Sequence, residues 1–146
     1  MVRAITLLLL ISPLSFAGDN STTIITKGTN NQITTKQVGN GNITYILCGA
    51  NSGGTITGAS YSAHSCTNAV WSSTVEGNSN IVKMYTVWSN NIGNSSTVTI
   101  DGNDNYAYID QDEDDNVVTI TQTGNDNHAE ALGSGDDNVY STTQTG

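Results

Sequence analysis

Hydrophobic and polar residues alternate along much of the C-terminal half of the chain. In the segment NVVTITQ, which begins at Asn116, the first, third, fifth and seventh residues fall on one side and the other three fall on the opposite side. The segment NYAYIDQ, which begins at Asn105, has the same pattern. Alternation of this kind is typical of a β-strand with two different faces. The Thr, Val, Ile and Tyr residues that fill these segments also favour strands.

The strand segments belong to a repeat of 11 residues. Asparagine recurs in this frame, glycine precedes it by three residues, and glutamine follows it by six. Steps of 11 residues separate Asn20, Asn31 and Asn42, and also Asn94, Asn105, Asn116, Asn127 and Asn138; Asn80 lies outside these steps but follows Gly77 with the same spacing of three. The glycines are Gly39, Gly77, Gly102, Gly124 and Gly135, and the glutamines are Gln37, Gln111, Gln122 and Gln144. A period of 11 can also produce a right-handed helical coil, but fixed Gly and Asn positions among β-branched residues argue against helices.

The repeat predicts an all-β fold, a β-solenoid of stacked strand-turn-strand rungs. Each half-repeat supplies about seven residues of strand and about four of turn, so two half-repeats close a rung of about 22 residues. The Gly, Asn and Asp residues form the corners because they tolerate turn conformations. We expect the inward Asn and Gln side chains to lie above their copies in neighbouring rungs and form amide ladders, with cross-β structure on polymerisation.

Residues 1–17 have the features of a secretory signal peptide. Arg3 precedes an apolar run from Ala4 to Leu14, and small residues surround the expected cleavage site after Ala17. A membrane anchor is the alternative, but the apolar run is shorter than the roughly 20 residues of a spanning helix. The sequence therefore predicts secretion and no membrane insertion.

Cys48 and Cys66 are the two cysteines of the chain. In an oxidising compartment, such a pair usually forms a disulfide. A zinc site is the competing interpretation, but His64 is the single further strong ligand nearby. We therefore expect a disulfide-closed insertion at 48–66 between two repeat regions, 18–47 and 67–146.

The charge and the acidic residues restrict the possible functions. A net charge of −9 provides no basic patch for nucleic acid or anionic lipid. The acidic run from Asp110 to Asp115 does not fit a calcium-binding EF-hand loop, because Asp115 and Thr121 stand where Gly and Glu are required. We interpret the run as a solvated corner rather than an ion site. No cofactor or metal is predicted.

Catalysis also has little support. His64 and His128 are the two histidines, and no arrangement of nucleophile, base and carboxylate is visible in the sequence. The alternation places His128 on the outside of the solenoid. We therefore expect a non-enzyme.

The runs QVGNGN (from Gln37) and QTGNDNHAEA (from Gln122) resemble the curlin repeat, whose consensus is S-x5-Q-x-G-x-x-N-x-A-x3-Q. The Q-x-G-x-x-N core is complete in both runs, and Ala129 falls on the Ala position of the consensus. Other units keep only part of the pattern, and Asn31 and Asn116 stand at the Ser position. The resemblance covers roughly 20–42 and 77–146 and leaves a divergent middle.

The resemblance implies a secreted structural subunit of curli, the extracellular amyloid fibres that support bacterial adhesion and biofilm matrix. It also implies three partners: other copies of the same chain, an outer-membrane secretion pore and a nucleator subunit. The residues from Gln144 and from Gly18 read QTG and GDN, so head-to-tail stacking would restore the repeat across two molecules.

A monomeric β-solenoid binding protein is the alternative function. It would bind ice, or act as an adhesin, through an outward Thr/Tyr face. Regular T-x-T pairs are expected for ice, and Tyr106, Tyr108 and Asp110 are expected to interrupt that face.

Overall fold

A computed structural model describes residues 8–11, 18–26, 28–48, 66–86 and 91–146, and every regular element among them is a strand. The strands form two long sheets and one small sheet. Sheet A contains β1 (Leu8–Ile11), β4 (Gln32–Val38), β7 (Val70–Glu76), β10 (Ser95–Asp101), β12 (Val117–Thr123) and β14 (Val139–Thr145), in that order. Sheet B contains β2 (Ser21–Thr26), β5 (Ile43–Cys48), β8 (Ile81–Thr86), β11 (Tyr106–Gln111) and β13 (His128–Gly133). The small sheet contains β3 (Gly28–Thr29), β6 (Cys66–Thr67) and β9 (Asn91–Ile92).

The chain winds as a β-solenoid, which confirms the predicted fold class. All pairings are parallel, and each strand pairs with the strand one turn later rather than with its neighbour in sequence. A rung consists of one sheet B strand and the next sheet A strand. We number the rungs from rung 1 (β2 and β4) to rung 5 (β13 and β14).

The register continues through the divergent middle of the sequence. Tyr106 pairs with His128, 22 residues later, whereas Ile81 pairs with Tyr106 at a separation of 25 and Ile43 pairs with Ile81 at a separation of 38. The extra residues fall, in sequence, between β5 and β6 and between β8 and β9. Residues 49–65, which make up most of the predicted insertion, and residues 87–90 lie outside the described part of the chain.

The core lies between the two long sheets. Val98, Ile100, Ile109 and Ile120 are at most 1% exposed, and Trp71 is equally buried. Alternation makes this possible, because every second residue of β10, β11 and β12 points inward. Burial of an aliphatic side chain of this size contributes about 1.5–3 kcal/mol relative to leaving it exposed.

Stacked glycines form the corner that follows each sheet A strand. Gly39, Gly77, Gly102 and Gly124 all have positive φ. A Cβ placed on Gly102 would lie 1.8 Å from the carbonyl oxygen of Gly124. Only glycine fits this column, which explains four of the five glycines of the repeat; Gly135 lies at the opposite corner instead.

A disulfide joins Cys48 to Cys66, with 5.7 Å between the Cα atoms. It connects the end of β5 to β6 in the same rung, and both residues are buried. The described residues contain no helix long and apolar enough to cross a membrane.

Candidate assembly site: amide ladders and open strand edges

An unbroken column of asparagines lies at the corner that precedes each sheet B strand. We call Asn20, Asn42, Asn80, Asn105 and Asn127 the inner ladder. The Oδ1 of Asn80 accepts hydrogen bonds from the backbone N–H of Asn105 at 2.9 Å and from its Nδ2 at 3.1 Å. Asn105 binds Asn127 in the same way, at 2.9 and 3.0 Å. Each buried amide therefore satisfies polar groups in the neighbouring rungs, where an unmade bond would cost about 1–3 kcal/mol.

A second column, at the corner before each sheet A strand, is interrupted. It contains Asn31, Ala69, Asn94, Asn116 and Asn138. Asn94 Oδ1 accepts from the backbone N–H of Asn116 at 2.8 Å, and Asn116 Oδ1 accepts from that of Asn138 at 3.0 Å. Asn31 Oδ1 accepts from the N–H of Ala69 at 3.1 Å. Ala69 has no amide with which to continue the ladder, so this column is divided at rung 2.

A third column, which the sequence interpretation missed, lies on the outside of the glycine corner. We call Asn40, Asn78, Asn103 and Asn125 the outer ladder. The backbone N–H groups of Asn78 and Asn103 donate to the Oδ1 of the next residue in the column, both at 3.0 Å. The earlier rung donates here, whereas the later rung donates in the inner ladder. The motif G-N-x-N, which begins at Gly39, Gly77, Gly102 and Gly124, was the available signal.

The predicted glutamine ladder is wrong except for one pair. Gln122 Nε2 donates to Gln144 Oε1 at 2.9 Å. Gln37 instead shares its column with Val75 and Ile100, and Gln111 lies beside Gly133. A step of 11 residues moves the chain to the opposite sheet, so only glutamines two steps apart can stack.

The glutamines instead join consecutive strands across the core. Each donates from Nε2 to a backbone carbonyl 16 residues earlier in the chain. The acceptor is Ser21 for Gln37 at 3.2 Å, Tyr106 for Gln122 at 3.0 Å, and His128 for Gln144 at 2.8 Å. Gln111 makes a longer contact of 3.5 Å with Ser95 O. The constant spacing thus closes rungs 1, 4 and 5, whereas Gln111 of rung 4 reaches back to rung 3.

The acidic run forms a corner whose carboxylates bind backbone groups. Asp114 Oδ1 accepts from the N–H of Ile92 at 2.8 Å, and the N–H of Asp114 donates to Asp136 Oδ1 at 3.1 Å. These bonds continue along the stack like those of the outer ladder. Within the described part of the chain, no cluster of three or more His, Cys, Asp or Glu residues is arranged to hold a metal ion.

Asp110 is the acid with a clearly altered environment. Burial is the main cause that raises its pKa to about 6, and the nearby Asp112 carboxylate adds to the effect. The Tyr108 hydroxyl, 3.2 Å from Asp110 Oδ2, opposes it by stabilising the charged form. Asp110 lines a cavity of about 270 Å³ together with Leu132 and Ser134.

The two outward faces differ in chemistry. Sheet A carries two adjacent columns of mainly hydroxyl side chains: Thr34, Ser72, Thr97, Thr119 and Ser141 in one, and Lys36, Thr74, Thr99, Thr121 and Thr143 in the other. Sheet B carries an aromatic surface, where the rings of Tyr85 and Tyr108 lie 5.4 Å apart. The exposed His128 stacks on Tyr106 and contacts Glu130 at 2.9 Å.

This arrangement corrects the expectation that Tyr106, Tyr108 and Asp110 interrupt the threonine face. All three belong to β11 in sheet B, on the opposite side of the molecule. The error arose because successive half-repeats face opposite directions. The hydroxyl columns of sheet A are continuous through rungs 2 to 5.

Open strand edges lie at both ends of the stack. β14 of sheet A and β13 of sheet B each pair on one side only, as does β2 at the other end. Within the described residues, no backbone N–H donates to the Oδ1 of Asn127 or Asn138, although each other asparagine of their columns accepts such a bond. The rung 5 end therefore presents two oriented acceptors beside two open strands.

Searches against family models, curated proteins and solved structures find no match to this chain. The resemblance to the curlin repeat therefore rests on the residues of the repeat.

Proposed function

We propose that the chain is a secreted structural subunit of extracellular, curli-like amyloid fibres on the bacterial cell surface. In this proposal, subunits stack head to tail and the fibre contributes to cell adhesion and biofilm matrix. The observation that carries the proposal is the match between rung 5 and rung 1. Both have the same columns at the same spacing, and their strand edges are parallel.

The match extends to individual residues. Rung 1 of a second copy, placed one strand spacing beyond rung 5, puts Asn20 on Asn127 and Asn31 on Asn138. The backbone N–H of the incoming Asn31 then faces the open Oδ1 of Asn138, as such groups do between rungs within the chain. The N–H of Asn20 donates to Gly18 O at 2.7 Å in the single chain, and it exchanges this partner for Asn127 Oδ1 at the joint. The later rung donates at both columns, so the polarity of the ladders is preserved across the joint.

The remaining columns at this joint are also compatible. Ile24 of the second copy lies on Ala131, and Ile33 lies on Tyr140, so apolar residues meet at the core. Asp19 on Asp126 is the one like-charge contact among these columns, and it lies at an exposed corner. Open parallel edges with stackable amides and no proline in the described strands are features of cross-β assembly.

The proposed partners follow from the resemblance to curlin repeats. They are further copies of the chain, an outer-membrane secretion pore and a nucleator subunit. We assign the chain no catalytic role, cofactor or nucleic-acid partner.

Incubation of the purified chain beginning at Gly18 tests the proposal. We expect unbranched fibres whose diffraction contains a meridional spacing of about 4.7 Å and an equatorial spacing of about 10 Å. A chain that stays monomeric at high concentration on prolonged incubation would contradict fibre formation.

A monomeric ice-binding protein is the second candidate, and the continuous hydroxyl columns of sheet A favour it. Hydroxyls there repeat at about 4.7–4.9 Å along the stack and about 6.6 Å along each strand, which is a regular two-dimensional array. Inhibition of ice recrystallisation tests this function. Thr121→Tyr should abolish the inhibition, whereas Thr23→Tyr on the sheet B face should not; absence of inhibition by the unaltered chain would reject the candidate.

A further inference from the structure

The segment before the first rung occupies an edge that the proposed fibre requires. β1 pairs in parallel with β4, with Leu8 opposite Gln32 and Ile11 opposite Thr35. β4 is the sheet A strand of rung 1, and its other side is already paired with β7. The pairing with β1 therefore covers the first four residues, Gln32 to Thr35, of the edge of β4 that β7 leaves open.

The same edge would receive β14 of a neighbouring copy. In the stacked arrangement, Val139 of that copy lies opposite Gln32 and Thr142 lies opposite Thr35, in the same parallel orientation. The backbone N–H and C=O groups along one edge can pair with only one strand. The two strands therefore compete for these groups.

We propose that β1 caps the rung 1 end of the stack, so that a chain that retains residues 1–17 cannot extend a fibre through that end. This inference rests on the proposed function and adds its regulation: removal of the leader exposes the edge that the tail strand of another copy then joins. The cap is local, because β13 and β14 make no pairing with β1.

A capped chain has a defined effect on growing fibres. Its rung 5 end can join the exposed rung 1 end of a fibre, but the sheet A edge of its own rung 1 is then covered. It cannot join the other end of the fibre, because that end needs a free rung 1. A capped chain therefore adds at most once to a seed and propagates from neither end.

Seeded elongation measures this directly. Sheared fibres of the chain beginning at Gly18 are supplied either with that chain or with the full chain, and fibre length is measured by electron microscopy. Fibre length is the chosen readout because amorphous aggregates formed through the apolar leader do not lengthen the seeds. We expect elongation by the full chain to be at least about tenfold slower, because the open edge is lost.

Two proline variants of the full chain separate strand pairing from other effects of the leader. Leu10→Pro removes a backbone donor and disrupts a parallel ladder, so it should restore elongation. Thr6→Pro, outside β1, is the matched control and should leave elongation slow. Amide exchange at Ile33 and Thr35, whose N–H groups face β1, should be at least about tenfold slower in the full chain than in the chain beginning at Gly18. Thr34 is the internal control, because its N–H points toward β7, as that of Gln32 does.

The outcomes distinguish this inference from the proposed function. If the chain beginning at Gly18 forms no fibres, the proposed function fails. If it does and the full chain elongates seeds equally well, the cap is wrong. Continued inhibition in Leu10→Pro would also overturn the cap, since the leader would then act without strand pairing.

Discussion

The Oδ1 atom of Asn42 accepts two hydrogen bonds from Asn80, one from the backbone N–H and one from Nδ2, both at 3.0 Å. The two residues are separated by 38 positions and by the segment 49–65. Neither Asn is exposed to solvent. The stacking register is therefore maintained by specific buried amides even where the length of the repeat changes.

Removal of one inner-ladder amide should destabilise the chain strongly. Asn105→Ala deprives Asn80, Gly124 and Asn127 of hydrogen-bond partners. Since buried unsatisfied groups cost about 1–3 kcal/mol each, we expect the free energy of unfolding to fall by about 2–4 kcal/mol. Urea unfolding measures the change. Asn125→Ala, at the exposed end of the outer ladder, is the control and should cost less than about 1 kcal/mol; equal losses would contradict the inner-ladder assignment.

The glycine corner should not tolerate a side chain. In Gly102→Ala the new Cβ would lie 1.8 Å from the carbonyl oxygen of Gly124, so the corner must move and the rungs must separate. We expect loss of more than about 4 kcal/mol or failure to fold, measured by circular dichroism and urea unfolding.

Gly41→Asp is the matched control. Gly41 also has positive φ, but a Cβ there meets nothing closer than 3.8 Å, and Asp104 adopts the same conformation in its column. This variant should unfold within about 1 kcal/mol of the unaltered chain. Comparable damage in both variants would show that the close carbonyl contact is not the cause.

The strands, the 11-residue frame and the 22-residue rung could be predicted because Val118 and Ile120 alternate cleanly with Thr119 and Thr121. The stacking of the glutamines could not be predicted, because Val75 and Ile100 lie between Gln37 and Gln122 in the same column. Because the repeat lengthens at 49–65 and 87–90, the sequence spacing does not show which residues lie above one another in the stack.

Turn chemistry accounts for the residues that the sequence interpretation missed. Asn103 lies in a turn, where strand alternation provides no information about stacking. The order of strands around the solenoid also decides which face each half-repeat presents, and Tyr106 was placed on the wrong face for this reason.

The stability of the chain should fall as the pH rises through the pKa of Asp110. That pKa is raised from 3.8 to about 6, so the folded state favours the protonated acid. The resulting stability is fully present below about pH 4 and is lost as the pH rises through about 6. Because the group is only half-buried, solvent screening limits the loss to about 1 kcal/mol.

Asp110→Asn tests this dependence, because the amide resembles the neutral acid. The variant should be as stable as the unaltered chain at pH 4 and more stable at pH 7, by urea unfolding at each pH. Asp101→Asn, an exposed acid in sheet A, controls for the general effect of removing one negative charge. Parallel pH profiles for the unaltered chain and Asp110→Asn would exclude a role for this carboxyl group.

Stacking of rung 5 on rung 1 should place Ser141 of one copy directly beside Thr34 of the next. Both side chains belong to the same outward column of sheet A, and neighbours in such a column lie about 4.7–4.9 Å apart. Within one chain the two residues lie at opposite ends of that column, so they cannot form an intramolecular disulfide. A chain beginning at Gly18 that carries Thr34→Cys and Ser141→Cys, with the native disulfide retained, should therefore link only between copies.

Oxidised fibres of this variant should give a ladder of covalent multimers on a non-reducing denaturing gel. The control pair, Thr23→Cys with Ser141→Cys, places the thiols on opposite faces and should give monomers. Fibres that yield multimers equally from both pairs, or from neither, would rule out head-to-tail stacking in this register.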